Sequence, residues 1–234
     1  MKKFCFVPIV IVMALCSSCI IFPIMGNGEM ESSEKTVSSF EKIHSGGSAD
    51  IKYLISPEYK VNITADSNLI DFVTAEVKNK TLYLGLKSGS YSFTKLQINV
   101  YCPDLIGIDI SGSGMFSADE TIVAPEFDVE ISGSGKVTGT FECDKLSADI
   151  SGSGKITVSG TGEDLNITIT GSGKFTGDNF IVNDAVVKIS GSGKANIHAT
   201  YSLKVNISGS GELNYHGSPQ TNFNISGSGR ISKI

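Results

Sequence analysis

The amino-acid sequence predicts an all-β chain folded as a parallel β-solenoid, with about 18–21 residues in each coil. The motif Ser/Thr-Gly-Ser-Gly occurs seven times, at successive spacings of 21, 19, 19, 20, 18 and 18 residues. Apolar and polar residues alternate before each motif, and a further apolar residue follows each motif at a fixed distance. A repeat of this length is typical of stacked coils, because one repeat cannot bury its apolar face alone. A β-propeller is the alternative repeat fold, but each of its blades needs about 40 or more residues, twice this period.

The segment before each motif reads as a half-buried strand. Isoleucine stands two positions before the first glycine, a second apolar residue stands two positions earlier, and the residue between them is polar. This alternation with a period of two is the pattern of a strand with one face in the core. Stacked coils would place the isoleucines on one another as a structural core ladder, formed by Ile110, Ile131, Ile150, Ile169, Ile189, Ile207 and Ile225.

The glycines predict a tight corner between two strands, because glycine reaches positive φ freely and allows neighbouring coils to approach closely. The corner glycines are Gly112, Gly133, Gly152, Gly171, Gly191, Gly209 and Gly227. Four positions later the apolar row resumes at Phe116, Val137, Ile156, Phe175, Ala195, Leu213 and Ile231. The serine after each corner glycine is expected to hydrogen-bond to the neighbouring coil through its hydroxyl; these are Ser113, Ser134, Ser153, Ser172, Ser192, Ser210 and Ser228.

Residues 39–107 are less regular than residues 108–234, which contain the seven motifs. Strands are predicted over Phe40–Tyr53, Tyr59–Ala65, Ala75–Lys87 and Thr94–Val100, with a hairpin turn at Asn79–Lys80 and a bend at Ser67–Asn68. Gly46-Gly47-Ser48 and Ser88-Gly89-Ser90 read as degenerate corners. The favoured interpretation is one β-solenoid domain over 39–234 with irregular N-terminal coils, and a separate β subdomain over 39–107 is the alternative.

Residues 1–18 are predicted to be a lipoprotein-type signal peptide. Lys2 and Lys3 precede a continuous apolar run, and the small residues Ser17 and Ser18 precede Cys19. This arrangement resembles a bacterial lipobox, which makes Cys19 the lipidated residue. Residues 19–38 then read as a flexible, lipid-anchored tether. An uncleaved anchor, supported by 22 uncharged residues from position 4 to 25, and simple secretion are the alternatives.

The repeated Ile-Ser-Gly-Ser-Gly-Lys, with the segments Val61–Ile70 and Val77–Leu84 before it, resembles the family described as putative auto-transporter adhesin, head GIN domain. The resemblance covers residues 38–234. It implies a right-handed β-helix, and members are often lipoproteins of Bacteroides-like bacteria. The expected location is therefore the cell envelope, anchored to the outer membrane, with the periplasmic and surface faces both open. The family carries no catalytic motif to transfer.

A column of basic side chains is the main candidate for ligand binding. Three positions after the corner glycine stand Lys136, Lys155, Lys174 and Lys194. In stacked coils these lysines form a basic stripe that could hold an acidic glycan, a phosphate or an anionic lipid headgroup. The alternative is a solvated face on which the lysines splay apart or pair with Asp109, Glu130 and Asp149.

Composition argues against several classes of function. The net charge of −5 lacks the basic footprint that nucleic-acid binding needs. Three histidines without Cys/His ligand spacing predict no metal site, and nothing predicts a cofactor. Short coils leave no room for the long loops that would form a catalytic cleft. Cys102 and Cys143 are expected two coils apart, at a separation of about 10 Å that is too long for a disulfide, so they are predicted to be unpaired and mostly buried thiols.

The sequence therefore predicts a non-catalytic envelope lipoprotein, an adhesin or binding module with a rigid repetitive surface. Its partners would be the membrane, through the lipid, and a glycan, an anionic lipid or an envelope protein. A glycan-active β-helix enzyme and a ligand-free envelope scaffold are the alternatives.

Overall fold

The structure, a computed structural model, describes residues 22–234. The signal peptide and the lipidation of Cys19 concern residues outside the described range. The N-terminal part contains β1 (Ile24–Met25), β2 (Met30–Thr36), β3 (Lys42–Gly47), β4 (Asp50–Ile55), β5 (Lys60–Asp66), a 3-10 turn (Ile70–Phe72), β6 (Val73–Lys78), β7 (Thr81–Leu86), β8 (Tyr91–Ser92) and β9 (Leu96–Cys102).

The remaining strands build the repetitive part. They are β10 (Gly107–Gly112), β11 (Met115–Val123), β12 (Glu126–Gly133), β13 (Lys136–Gly152), β14 (Lys155–Gly171), β15 (Lys174–Gly191), β16 (Lys194–Gly209), β17 (Glu212–His216), β18 (Gln220–Gly227) and β19 (Arg230–Lys233). Each pairs in parallel with the strand one coil away. The predicted all-β solenoid, with about seven turns of stacked parallel strands, is confirmed.

Every corner glycine lies beside the corner glycine of the next coil, from Gly112 opposite Gly133 to Gly209 opposite Gly227. Their φ angles lie between 111° and 151°, where side chains are rarely accommodated. At Gly152 a Cβ would stand 2.6 Å from the carbonyl oxygen of Gly133. The second glycine of the motif is needed for another reason, because a Cβ on Gly154 would stand 2.5 Å from Cγ2 of Ile131 in the preceding coil.

The isoleucines stack in register along the inside of the solenoid. Six of the seven are at most 2% exposed, whereas Ile225 is 42% exposed. Ile225 lies on β18, which pairs with β16 on one side only within residues 22–234. The side chain of Ile225 therefore packs against the preceding coil on one side and faces solvent on the other.

Differences in repeat length are absorbed away from the corner. The register shifts between neighbouring coils occur at Ser117–Thr121, Thr157–Ser159, Gly177–Ile181 and Val182–Asp184, on the part of the coil that follows the corner strand. Aromatic side chains fill this side of the core, and the rings of Phe127 and Phe141 are 4.9 Å apart. The corners and ladders consequently stay aligned although the coils differ in length.

The less regular N-terminal region combines parallel coils with antiparallel strands. Strands β3 and β4 stack on β10 and β11 with Gly47 opposite Gly112, so Gly46-Gly47-Ser48 occupies the corner position. Strands β7 and β9 stack in parallel beyond them, and Ser88-Gly89-Ser90 lies in the long connection between these two strands. The hairpin turn at Asn79–Lys80 joins β6 to β7, with both residues at positive φ.

Residues 19–38 differ from the expected flexible tether in the part that the structure describes. Strand β2 pairs antiparallel with β5, and the hydroxyls of Ser32 and Thr64 are 2.8 Å apart. Strand β2 is an edge strand with no residue in the core, so its polar sequence lacks the alternation that indicates a strand. Its β-structure is stabilised by backbone pairing, which composition does not reveal.

Candidate binding surface

The lysine column consists of Lys136, Lys155, Lys174 and Lys194, which lie in register at the start of β13, β14, β15 and β16. All four side chains are exposed, because the strand alternation that buries the next residue points each lysine outward. Neighbouring coils are separated by about 4.8 Å. The fold thus places the four lysine side chains in one column along the outside of the solenoid.

One of the four lysines is neutralised. Nζ of Lys194 is 2.8 Å from Oε2 of Glu212, the next residue of the same column. The hydrogen bonds that Glu212 accepts from Lys194 and Asn214, together with the positive charge of Lys194, lower its pKa below the ordinary value. Within residues 22–234, no carboxylate lies within 4.0 Å of Nζ of the other three lysines. Lys136, Lys155 and Lys174 therefore form an uncompensated positive line.

Hydroxyl groups accompany this line. Thr138, Thr157 and Thr176 stand in register two residues after the three lysines. The hydroxyls of Thr140 and Ser159 lie two residues further on and are 2.9 Å apart. These side chains line a shallow depression of about 250 Å³. A ligand that carries both anionic groups and hydroxyls would meet the ammonium groups of the column and the hydroxyls of the depression on this one face, while the carboxylate of Asp178 at the depression would repel an anion.

The acids expected as partners of the lysines lie on the other side of the corner. Asp109, Glu130 and Asp149 stack in register three residues before the corner glycine, and none of them forms an ion pair with the lysine column. Asp109 is instead bonded to His44 of the preceding coil, with 2.6 Å between Oδ2 and Nδ1. The predicted pairing of the lysines with this acid column is therefore absent from the described structure.

A small hollow of about 210 Å³ lies beside this acid column. Gly107 lacks a side chain between Lys42 and Asp128, whose charged groups meet across it at 2.9 Å. In this hollow Asp128 is held in an ion pair with Lys42, and Asp109 is hydrogen-bonded to the ring of His44. Among the described residues, no group of three or more His, Cys, Asp or Glu side chains has the geometry of a metal site.

The serines at the corner connect coils through their backbone, not through the expected hydroxyl contact. The N–H of Ser153 donates to the carbonyl oxygen of Gly133 at 2.8 Å, and the same bond recurs from coil to coil. The serine side chains point outward and are exposed. The corner is therefore closed by backbone groups, and its serine side chains remain accessible.

The two described cysteines are free thiols, with Cys102 buried and Cys143 half-buried. Burial raises the pKa of Cys102 to about 12 and that of Cys143 to about 11. The hydroxyl of Tyr53 donates to the carbonyl oxygen of Cys102 at 3.2 Å. A thiol that stays protonated is a weak nucleophile, so burial lowers the reactivity of both cysteines.

Comparison with protein families finds a match over residues 39–219 to the family described as putative auto-transporter adhesin, head GIN domain. The chain belongs to this family. No protein of curated function matches it in sequence.

Solved structures of similar proteins share the whole fold. A putative adhesin from Bacteroides fragilis is 27% identical with a TM-score of 0.86, over 90% of this chain and 100% of that one. A putative lipid binding protein from Parabacteroides distasonis is 29% identical with a TM-score of 0.76, over 91% of this chain and 100% of that one. A putative adhesin from Parabacteroides merdae is 25% identical with a TM-score of 0.74, over 90% and 98% of the two chains.

Proposed function

We propose that this head GIN domain protein is a non-catalytic envelope binding protein whose lysine column holds repeated anionic groups of an acidic glycan. The observation that carries the proposal is the line of three exposed lysines, Lys136, Lys155 and Lys174, without carboxylate partners. Adhesin is the description of both the family and two of the similar structures. A stack of identical coils presents one group per coil, which suits a polymer that repeats its charges.

Multivalency explains how such a surface would bind. A single exposed lysine contributes little, because its charge is solvated and screened by salt. Three lysines on one rigid frame can engage one chain together, and the second and third contacts are then intramolecular. The threonine hydroxyls beside them supply hydrogen-bond partners for sugar hydroxyls.

The test is a binding measurement on arrays of acidic and neutral glycans and on vesicles with and without anionic lipid. The triple variant Lys136→Ser/Lys155→Ser/Lys174→Ser is compared with Lys145→Ser/Lys188→Ser/Lys204→Ser, which removes the same charge from other positions. We expect the first variant alone to lose binding to acidic glycans. Equal binding by both variants would exclude the lysine column. Binding to anionic vesicles but not to glycans would assign the column to lipid headgroups, the chemistry that the description of one similar structure suggests.

Export and anchoring form the second part of the proposal. Residues 1–18 would be removed as a signal peptide, and Cys19 would carry the acyl chains at the outer membrane. Within residues 22–234, no helix has the length and apolar character to cross a bilayer. Mass spectrometry of the mature protein tests the cleavage site and the lipid. The Cys19→Ser variant should lose the acyl mass and leave the membrane fraction.

A further inference from the structure

The N-terminal strand β1 is fixed to the end of the solenoid. It pairs in parallel with β8, and the N–H of Ile24 donates to the carbonyl oxygen of Ser90 at 2.9 Å. The side-chain amide of Asn68 donates to the carbonyl oxygen of Met25 at 2.8 Å. The N–H of Gly28 donates to Oδ1 of Asp66 at 2.8 Å. The chain therefore leaves this end of the domain at a defined point and in a defined direction.

Large apolar side chains are exposed around this exit point. Phe22 is 82% exposed, Met25 63%, Ile24 50% and Leu86 38%. We call these residues, with the half-buried rings of Phe72 and Tyr91, the apolar end patch. Three of these residues adjoin one another, because Ile24 pairs with Tyr91 across the strands and the rings of Tyr91 and Phe72 are 4.8 Å apart. Nζ of Lys87 lies 5.9 Å from the centre of the Phe72 ring. Exposed apolar patches of this kind mark contact sites.

We propose that the apolar end patch rests on the surface of the lipid bilayer that holds the Cys19 acyl chains. Three peptide units separate Cys19 from Phe22, and a fully extended chain of this length spans at most about 11 Å. An anchored Cys19 would therefore keep Phe22, and the end of the domain that it belongs to, close to the membrane surface. Aromatic and aliphatic side chains flanked by a lysine are the groups that favour the boundary between headgroups and acyl chains. This inference rests on the lipid anchor of the proposed function.

Two structural features agree with the bilayer as the occupant. Strand β1 is already held by backbone pairing and side-chain hydrogen bonds, so it would lose little conformational entropy on contact with lipid. Lys87 sits beside Phe72 and can extend its ammonium group toward phosphate groups while its stem covers the ring. The stacked coils then extend from this end, with the lysine column beginning at β13.

The absence of tryptophan from the chain allows a direct test, because each single substitution creates a unique tryptophan that can be excited selectively over tyrosine. Leu86→Trp and Met25→Trp place it in the patch, and Tyr201→Trp places it at a 65% exposed position on β16 as the matched control. The full lipidated chains are reconstituted into vesicles with and without brominated lipid. We expect emission of the two patch variants to be quenched several-fold more than that of Tyr201→Trp. Equal quenching in vesicle-bound protein would overturn the inference while leaving the anchor intact.

The remaining outcomes distinguish failure of the lipid anchor from failure of the contact between the patch and the bilayer. Protein that does not sediment with vesicles refutes the anchor, and the inference falls with it. Acrylamide quenching of the patch tryptophans in the unlipidated Cys19→Ser protein measures whether something other than lipid covers the patch. Shielding that increases with protein concentration would assign the patch to a second copy, and shielding in dilute solution would assign it to this chain's own residues. Either result would overturn contact with the bilayer.

Discussion

At the scale of single residues, the corner glycines are the positions where sequence and backbone geometry are most tightly linked. Gly152 has φ 121°, and a Cβ there would stand 2.6 Å from the carbonyl oxygen of Gly133. Gly46 has no such constraint, because its nearest atom to an added Cβ is the Ser111 hydroxyl at 3.9 Å. Glycine is therefore required at position 152 and only tolerated at position 46.

We expect Gly152→Ala to lower the free energy of unfolding by about 1–3 kcal/mol, because the residue is forced into a left-handed conformation and its Cβ meets backbone. Gly46→Ala serves as the control and should change stability by less than about 1 kcal/mol. Denaturant unfolding followed by circular dichroism measures both. Equal stability of the two variants would contradict the steric role of the corner glycine.

The isoleucine ladder offers a comparison between chemically equal positions. Ile150→Asp places an unpaired carboxylate at a 2% exposed position, which should destabilise the protein by at least about 3 kcal/mol. Ile225→Asp introduces the same group at a 42% exposed position in the last described coil, where water solvates it, and a much smaller loss is expected. Thermal melting compares the two variants with the parent. A similar fall in melting temperature for both would show that burial does not set the cost.

At the scale of strands, the repetitive part could be predicted from sequence because each coil faces the same requirements. The isoleucine, the corner glycine and the outward lysine recur at fixed offsets, so position within one coil determines position in the stack. Strand β2 lacks this signal, because it is an exposed edge strand that depends on pairing with β5. The ion pair of Lys194 with Glu212 depends on side-chain rotamers as well as register, so the repeat offset can place the two residues in one column but cannot show their contact.

The carboxylate of Asp66 holds β1 in place and gives this element a dependence on pH. Burial acts to raise its pKa, but the hydrogen bonds that it accepts from the backbone N–H groups of Gly28 and Thr94 outweigh burial and lower the pKa below 3.8. A carboxyl group with a lowered folded-state pKa stabilises the fold above its unfolded pKa. That contribution is lost as the pH falls through the folded value.

We therefore expect the amides of Gly28 and Thr94 to lose protection from hydrogen exchange as the solution is acidified below pH about 4, after correction for the intrinsic rate. Asp66→Asn should lower their protection already at neutral pH and remove most of this acid dependence. Asp71→Asn, which removes an exposed carboxyl group in the same region, is the control. Unchanged protection in Asp66→Asn would show that β8 pairing and the Asn68 amide hold β1 without the carboxylate.

At the scale of the whole molecule, the solenoid separates three surfaces. The apolar end patch lies at the N-terminal end, the lysine column runs along one side of the corner, and the acid column runs along the other. Opposite charges on the two sides of one corner do not neutralise each other, because no ion pair connects them in the described structure. A domain fixed at one end and carrying a charged line on its side would present that line laterally, at a distance from the membrane set by the number of coils.

The modular stacking predicts that one coil can be removed without loss of the fold. Deleting residues 153–171 joins Gly152 to Ser172 and brings Lys136 beside Lys174 and Ile150 beside Ile189, so corner, ladder and column stay in register. We expect a folded domain shortened by about 4.8 Å, measurable by small-angle scattering, with somewhat lower stability because one set of coil contacts is lost. It should also bind acidic glycans more weakly, since its uncompensated line contains two lysines.

Deleting residues 153–162 is the control, because it removes half a coil and places the strand that leads into the next corner where the strand following the corner belongs. Apolar side chains would then meet polar columns, and the N–H and carbonyl groups of the corner would lose their partners. We expect this variant to unfold or to aggregate, although it lacks fewer residues than the first. If the half-coil deletion were as stable as the full-coil deletion, stability could not depend on the register between equivalent residues of neighbouring coils. The alignment of the lysine column, on which multivalent binding depends, would then have no structural basis.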